Sequence, residues 1–384
     1  MTDLKPPIPY RTLPAEYHAS EPRDHHLSGK ANIALIDPLE DPRWDQFVEN
    51  HPNGWICHLS GWKRLLESTF RHMRGYYFVL LDDRGKEVQA GLPVFHVKSW
   101  ILGDRLVSIP FATLCDPLVS TAGQFSELFS AILGLACSLS VQRVEIRTFS
   151  AGHVIEDDRL SRSDTYRLHY LDLQNGSEAL KKNFHPSCVA RAIRRSLKSD
   201  LNLKAAESRP DLMEFYRLHR LTRKDAGLPL HPFRLFESLW ENFSSSGQVQ
   251  ITLAVKDDQA IGGVLSLKYK RRVSCDYVVF DQKHKQHRPN HFLYWNAIKA
   301  ARSEGFSVFD FGRTANGNLS LMKFKERWGA ASVSLPQFFH PPHEAHAQLQ
   351  DMGSMKQRLL NAVCKHAPDF AQTVIGDFCY RHMG

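Results

Sequence analysis

The apolar positions of this chain fall into two rhythms. Val249, Ile251, Leu253 and Val255 alternate with other residues, the period-two pattern of a strand with one buried face. A turn at Asp257-Asp258-Gln259 leads to Ala260-Ile261-Gly262-Gly263-Val264-Leu265. Arg271-Arg272 ends that run, and Val273 to Phe280 reads as the next strand. The period then lengthens. Pro289 or Asn290 to Glu304 predicts a helix, with proline in its first turn and Gly305 at its end. Val308-Phe309-Asp310-Phe311 returns to strand.

The first half runs through the same order. Tyr76 to Leu81 is a strand by its aromatic and β-branched content, followed by a turn at Asp82-Asp83-Arg84-Gly85 and a strand through Val88 to Val94. A third strand lies near Arg105 to Ile109, a helix covers Gln124 to Leu139, and Val144 to Arg147 closes the unit. The endings also correspond, Glu145-Ile146-Arg147-Thr148 against Asp310-Phe311-Gly312-Arg313-Thr314. The chain therefore reads as two copies of one α/β module. The strand–strand–strand–helix–strand order is that of the GNAT acyltransferase core, in which two neighbouring strands splay apart around an acyl donor. The expected fold is two tandem GNAT-like modules, each a mixed, mostly antiparallel sheet flanked by helices, over 31–170 and 171–338. Two helical stretches preface the second module: Ser177 to Ser199, divided at Pro186, and Asp211 to Ala226, stopped by Gly227 and Pro229. Residues 1–30, rich in proline, charge and histidine, predict a disordered tail. Residues 339–384 predict a C-terminal helical appendage, helical from about Met355 to Lys365.

Composition narrows the setting. With 384 residues the chain suits two cores. Seven scattered cysteines, with no C-x-x-C pair, point to a reducing compartment and hence the cytoplasm, not to a disulfide framework or zinc ribbon. No apolar run reaches transmembrane length. The net charge of +8 favours anionic partners such as phosphates, RNA or acidic lipid head groups, leaving peripheral membrane contact open.

Several sets of residues together carry a family resemblance. Phe309-Asp310-Phe311-Gly312-Arg313 and Phe324-Lys325-Glu326-Arg327-Trp328-Gly329-Ala330 are the most distinctive. Phe215-Tyr216-Arg217-Leu218-His219 with Thr222, Gly227 and Pro229, and Arg288-Pro289-Asn290 with Leu293 and Trp295, extend them. His51-Pro52, Trp62, Gly91 to Val94 and Leu106 to Phe111 extend them into the first half. As an ordered set spanning about 45–335, these resemble the FemAB family of tandem-GNAT transferases, and more closely its BioF2-like acetyltransferase branch found with bacterial exopolysaccharide genes. The resemblance implies attack of an amine on an activated acyl group. In the peptidoglycan branch the donor is aminoacyl-tRNA; in the other, acyl donors and acceptors are mostly unassigned. No cofactor is firmly implied, and acyl-CoA or aminoacyl-tRNA are the candidate donors. The expected acceptor is a small-molecule or lipid- or nucleotide-linked saccharide, with tRNA a further partner and DNA not expected.

Acyl transfer needs a neutral amine, a donor to the developing oxyanion, and cations for a phosphate-bearing substrate. The family's Phe-Lys pair falls on Phe324-Lys325, making Lys325 the catalytic cation; the alternative is a surface lysine beside Lys323 and Glu326. Asp310, within an apolar strand, could accept the amine's proton or form a structural ion pair with Arg313 or another cation. Arg313, after Gly312, suits anion binding. Arg194 and Arg195, with Arg191, share a helical face that either holds phosphates or is merely solvated. His219 and Tyr216 lie within a turn of each other, His219 as a base or a satisfied structural histidine. Tyr294, Phe324 and Trp328 are substrate contacts or core.

Arg288 and Asn290 open a helix where ordinary GNAT enzymes carry a glycine-rich pyrophosphate turn. Here Lys283 to Asn290 contains no glycine, so backbone amides at the Asn290 helix start, helped by the surrounding cations, would have to receive the donor phosphate. Gly312 to Gly317 has P-loop spacing but Asn318-Leu319 where Lys and Ser/Thr are required. His343-Glu344-Ala345-His346 is one residue short of a zincin motif, and the bare acyltransferase spacing of His153/Asp158 is one that chance supplies easily, so these are set aside. No metal ligands are expected. The remaining alternatives are tRNA-dependent aminoacyl transfer and a non-catalytic module that binds a polysaccharide intermediate or RNA.

Overall fold

A computed structural model describes residues 32–174, 176–342 and 359–382. The expected tail over 1–30, the start of the appendage helix at Met355 and the His343–His346 near-motif lie outside the described residues.

Among the described residues twelve strands join in one sheet, in the order β1-β2-β3-β4-β5-β12-β6-β11-β10-β9-β8-β7. The first half supplies β1 (Asn32–Ile36), β2 (Met73–Leu81), β3 (Val88–Val97), β4 (Arg105–Ser108), β5 (Arg143–Arg147) and β6 (Ser161–Asp172). The second supplies β7 (Asn202–Ala205), β8 (Val249–Lys256), β9 (Gln259–Tyr269), β10 (Arg272–Phe280), β11 (Val308–Ala315) and β12 (Ala331–His340). The numbered helices are α1 (Arg43–Asn50), α2 (Ser60–Thr69), α3 (Ala122–Ser138), α4 (Ser177–Lys182), α5 (Arg191–Leu197), α6 (Arg209–Asp225), α7 (Phe233–Phe243), α8 (Pro289–Ser303), α9 (Leu319–Glu326) and α10 (Asp369–His382); residues 359–366 are also helical. Both halves show the expected mixed, mostly antiparallel arrangement. Only β4–β5 and β10–β11 run parallel, and each of these pairs is joined through a long helix, α3 or α8, as parallel strands require.

The two copies exchange their closing strands. β12, from the second half, pairs with β5, whereas β6, from the first, pairs with β11. β6 and β12 also pair with each other from Ala331↔Tyr170 to Phe339↔Ser161. This exchange makes the sheet continuous.

Packing reinforces the join. α3 covers one face of the first copy through Phe125, Leu128, Phe129 and Ile132, and α8 covers the second through Phe292, Trp295 and Ile298. A third cluster spans both copies. In it α2 meets α7, with the rings of Trp62 and Phe243 6.0 Å apart, and Trp55 meets Tyr269 edge-on. Each large apolar side chain buried there contributes on the order of 1.5–3 kcal/mol. α10 then lies across the seam: Tyr380 stacks on His231, Gly376 packs on the Leu230 backbone, and the His382 carbonyl accepts from Arg105.

Candidate active site

β10 and β11 pair only from Arg272↔Val308 to Ser274↔Asp310. Two bulges then part them. On β10, Cys275 faces Ser266 and Tyr277 faces Leu265, so Asp276 is the extra residue. On β11, Asp310 faces Tyr170 and Arg313 faces Leu168, so three steps on one strand match two on the other. Gly312 supplies the left-handed backbone there, at φ 70°, a conformation that costs glycine least. The first copy lacks this feature: Arg147, Ile146 and Glu145 face Gln337, Phe338 and Phe339 in unbroken register. A bulge re-aims side chains and bends its strand. Here the two bulges border a cavity of about 950 Å³, into which Asp276, Gly312, Arg313 and Lys325 face.

Asp310 sits behind this cavity and does not line it. It is fully buried, accepting from Arg272 Nη1 at 3.1 Å and from the Gly312 amide at 2.9 Å. Ser274 Oγ lies 2.6 Å from Asp310 Oδ1 and 2.5 Å from Asp276 Oδ1. One hydroxyl carries one hydrogen, so it cannot donate to two carboxylates at once. The second contact needs a proton on a carboxyl group. Asp276 fits that role: burial, followed by the nearby Asp310 charge, pushes its pKa up to about 6. Below about pH 6 a protonated Asp276 donates to Ser274, which donates to Asp310; above it the Ser274 hydrogen serves one carboxylate and Asp276 is an ionised acceptor. Asp310 is thus anchored through Arg272, not Arg313. Asp310→Asn is expected to cost about 3 kcal/mol of stability by leaving Arg272 as a buried unpaired charge, measurable by chemical denaturation.

α9 brings in Lys325. Asn318 caps this helix by accepting from the Leu321 amide, and the i, i+4 spacing puts Leu321 and Lys325 together on the cavity. Lys325 is 2% exposed; its Nζ donates to the Gly312 carbonyl at 2.7 Å and the Arg313 carbonyl at 3.3 Å. Burial lowers its pKa to about 8. Phe324 and Arg327 face a second cavity, of about 560 Å³, whose rim also carries Arg191, Arg195, Arg288 and His291.

The other sequence candidates separate between these places. Arg313 lines the larger cavity with its guanidinium 4.9 Å from the Tyr166 ring centre, and Tyr294 lines it too. Trp328 is fully buried against Phe184, His291, Tyr294 and Phe311, and lines neither cavity. His219 lines the larger cavity, its Nε2 3.1 Å from His231 Nδ1, while His231 Nε2 is 2.8 Å from the Tyr380 hydroxyl. Burial holds both histidines well below their usual range. Tyr216 donates to the His231 carbonyl at 2.9 Å and lines neither cavity. Arg195 and Arg288 border the smaller cavity; Arg194 is exposed outside it, and Asn290 lies in the first turn of α8. Sequence reasoning missed Asp276, Ser274, Arg272 and the cavity arginines of the first copy. Arg272 and Arg105 were legible only as strand-end charges.

Residues 187–326 match the model of the acetyltransferase (GNAT) domain family. That segment is thus a GNAT acyltransferase domain, set in a duplicated fold of the tandem-GNAT kind. Among solved structures, FemX superposes with a TM-score of 0.66 at 15% identity, over 83% of this chain and 99% of that one. L-PGS from Bacillus licheniformis superposes with a TM-score of 0.56 at 14% identity, over 86% and 98%. A tandem GNAT protein from the clavulanic acid biosynthesis pathway, solved without AcCoA, gives 0.51 at 12% identity, over 81% and 98%. At these identities the likeness is one of fold. No protein of curated function matches the chain in sequence. Among the described residues no helix is long and apolar enough to cross a membrane.

Proposed function

We propose that the second copy transfers an acyl group to an amine on a cell-envelope or polysaccharide precursor, inside the cavity between β10 and β11, in the cytoplasm. The observation that carries this reading is Asp276, the bulged residue of β10, which faces the same cavity as Lys325 and Arg313. Asp276 takes the proton that the attacking amine must shed. Its raised pKa leaves it mostly ionised at neutral pH, yet basic enough to accept that proton. Lys325 uses two of its donors on the Gly312 and Arg313 carbonyls; its positive charge supports the oxyanion as the carbonyl becomes tetrahedral. The bulge sets the extra residue's backbone outside the β9 ladder, where it can serve as a further hydrogen-bond donor. Collapse of the intermediate forms the amide and releases the donor's thiol or hydroxyl.

The donor's phosphates fit the smaller cavity, where Arg191, Arg195, Arg288 and Arg327 gather beside the start of α8. This set suits the diphosphate of an acyl-CoA. Exposed Arg194 on the same helix extends the basic surface and supports the second reading, an aminoacyl-tRNA donor. Mass spectrometry of amine acceptors incubated with acyl-CoAs or aminoacyl-tRNA tests the proposal, and RNase sensitivity separates the two donors. Arg288→Ala is expected to raise the donor KM about tenfold with kcat preserved. Absence of any N-acyl product with either donor would sink the reading.

A further inference from the structure

The far wall of the larger cavity belongs to the first copy and takes no part in the step above. On β4–β5, Arg105 stands in register beside Arg143, and like charges directly opposite each other destabilise a sheet. Arg143, Glu145 and Arg147 share one face of β5 by the period of two, and all four side chains line the cavity. Glu145 accepts from Arg147 Nε at 2.7 Å and from Gln337 Nε2 at 3.0 Å. Asp104 lies near Arg105, but its oxygens contact His96 and the Ser99 amide.

The second copy differs at the matching positions. Arg272 and Asp310 hold the register positions of Arg105 and Glu145, and there they form a single buried ion pair. Where the second copy has Val308, the first has Arg143, so a position that is neutral in the second copy carries a second cation in the first. Arg105 is only 7% exposed and its guanidinium donates to the neutral His382 carbonyl; a cation this deep, beside Arg143, is costly unless it meets an anion. Among the described lining residues, Arg105, Arg143, Arg147, Arg223, Arg313 and Lys325 stand against two carboxylates, Glu145 and Asp276.

We infer that Arg105, Arg143 and Arg147 form a binding site for a phosphate or diphosphate group on the acyl acceptor, an inference that rests on the acceptor entering this cavity as proposed above. The planar forks of three arginines match phosphate oxygens and fix the acceptor's orientation, with its amine directed across the cavity toward Asp276. The phosphate can belong to a nucleotide or to a lipid. Leu102 lines the same cavity and continues the exposed run Trp100-Ile101-Leu102, at 80%, 46% and 46% exposure, a surface suited to hydrocarbon.

Equilibrium dialysis of the full chain with radiolabelled inorganic pyrophosphate reads the site without donor or turnover. Two sites are expected, here and in the smaller cavity, and Arg288→Ala should remove only the latter. In that background Arg143→Gln should weaken the remaining site about tenfold, and Arg105→Lys, which keeps the charge but loses the fork, should weaken it less. Thermal midpoints check that both variants fold. Displacement of pyrophosphate by uridine diphosphate supports the site with a nucleotide-linked acceptor. Displacement by phosphatidylglycerol vesicles alone supports it with a lipid-linked one. Pyrophosphate binding that is absent from the Arg288→Ala chain, or unchanged by both further variants, overturns the inference. That failure would leave acyl transfer itself standing, because the Asp276 variant is judged on turnover.

Discussion

Asp276→Asn is expected to lower kcat by about 10²–10⁴-fold, the range that a positioned general base contributes. The amide keeps the size of the carboxyl group and can still meet Ser274, so the β10 bulge should persist. What it cannot do is take a proton from the attacking amine. Because the change acts in the transition state and not on ground-state binding, kcat and kcat/KM should fall together with KM little altered. Steady-state kinetics on the acyl-transfer reaction reads this directly, with circular dichroism confirming the fold. The prediction depends on position as much as on charge. Asp310 is sealed behind Arg272, Ser274 and the Gly312 amide, and its loss should appear in stability.

Lys325→Ala is expected to cost about 10²–10³-fold in kcat, comparable to removing one oxyanion donor. Two effects combine in this variant, since Lys325 also ties down the Gly312 and Arg313 carbonyls. Lys325→Met separates them: it restores the buried stem without the charge. If the methionine variant regains thermal stability but not turnover, the charge itself serves the chemistry. Full activity in Lys325→Met would instead make this lysine a structural clamp.

Much of the architecture was legible because both copies repeat one pattern. Alternation from Val249 to Val255 and the Pro289–Gly305 boundaries gave β8 and α8 nearly as they stand. The matched endings placed Glu145 against Asp310, and the register of the two parallel pairs puts them in equivalent positions. The exchange of β6 and β12 was not legible. Local periodicity can identify a strand, but its partner across a long stretch of chain leaves no local trace. Asp276 escaped for a related reason. In Ser274-Cys275-Asp276-Tyr277 strict alternation puts Ser274 and Asp276 on one face, and nothing in those letters announces the extra residue that re-aims the strand. His219 and Tyr216 pack around His231 with Tyr380, which arrives from α10 at the far end of the chain. That contact was beyond any helical-wheel argument. Lys325 was legible through the resemblance, whose Phe-Lys pair falls on Phe324-Lys325, and the structure sets it on the larger cavity.

The most direct test of the central claim is the pH dependence of kcat at saturating substrates, for the wild type and Asp276→Asn side by side. Asp276 must be ionised to accept a proton, and its pKa is raised to about 6, so the wild-type rate should climb as pH rises through that value. Lys325 must be protonated, and its pKa is lowered to about 8, so the rate should fall as pH rises through that value. The account predicts a bell centred near neutrality, and an Asp276→Asn profile of much lower rate that has lost its acid limb. An Asp276→Asn enzyme that keeps both the wild-type rate and the acid limb would contradict it.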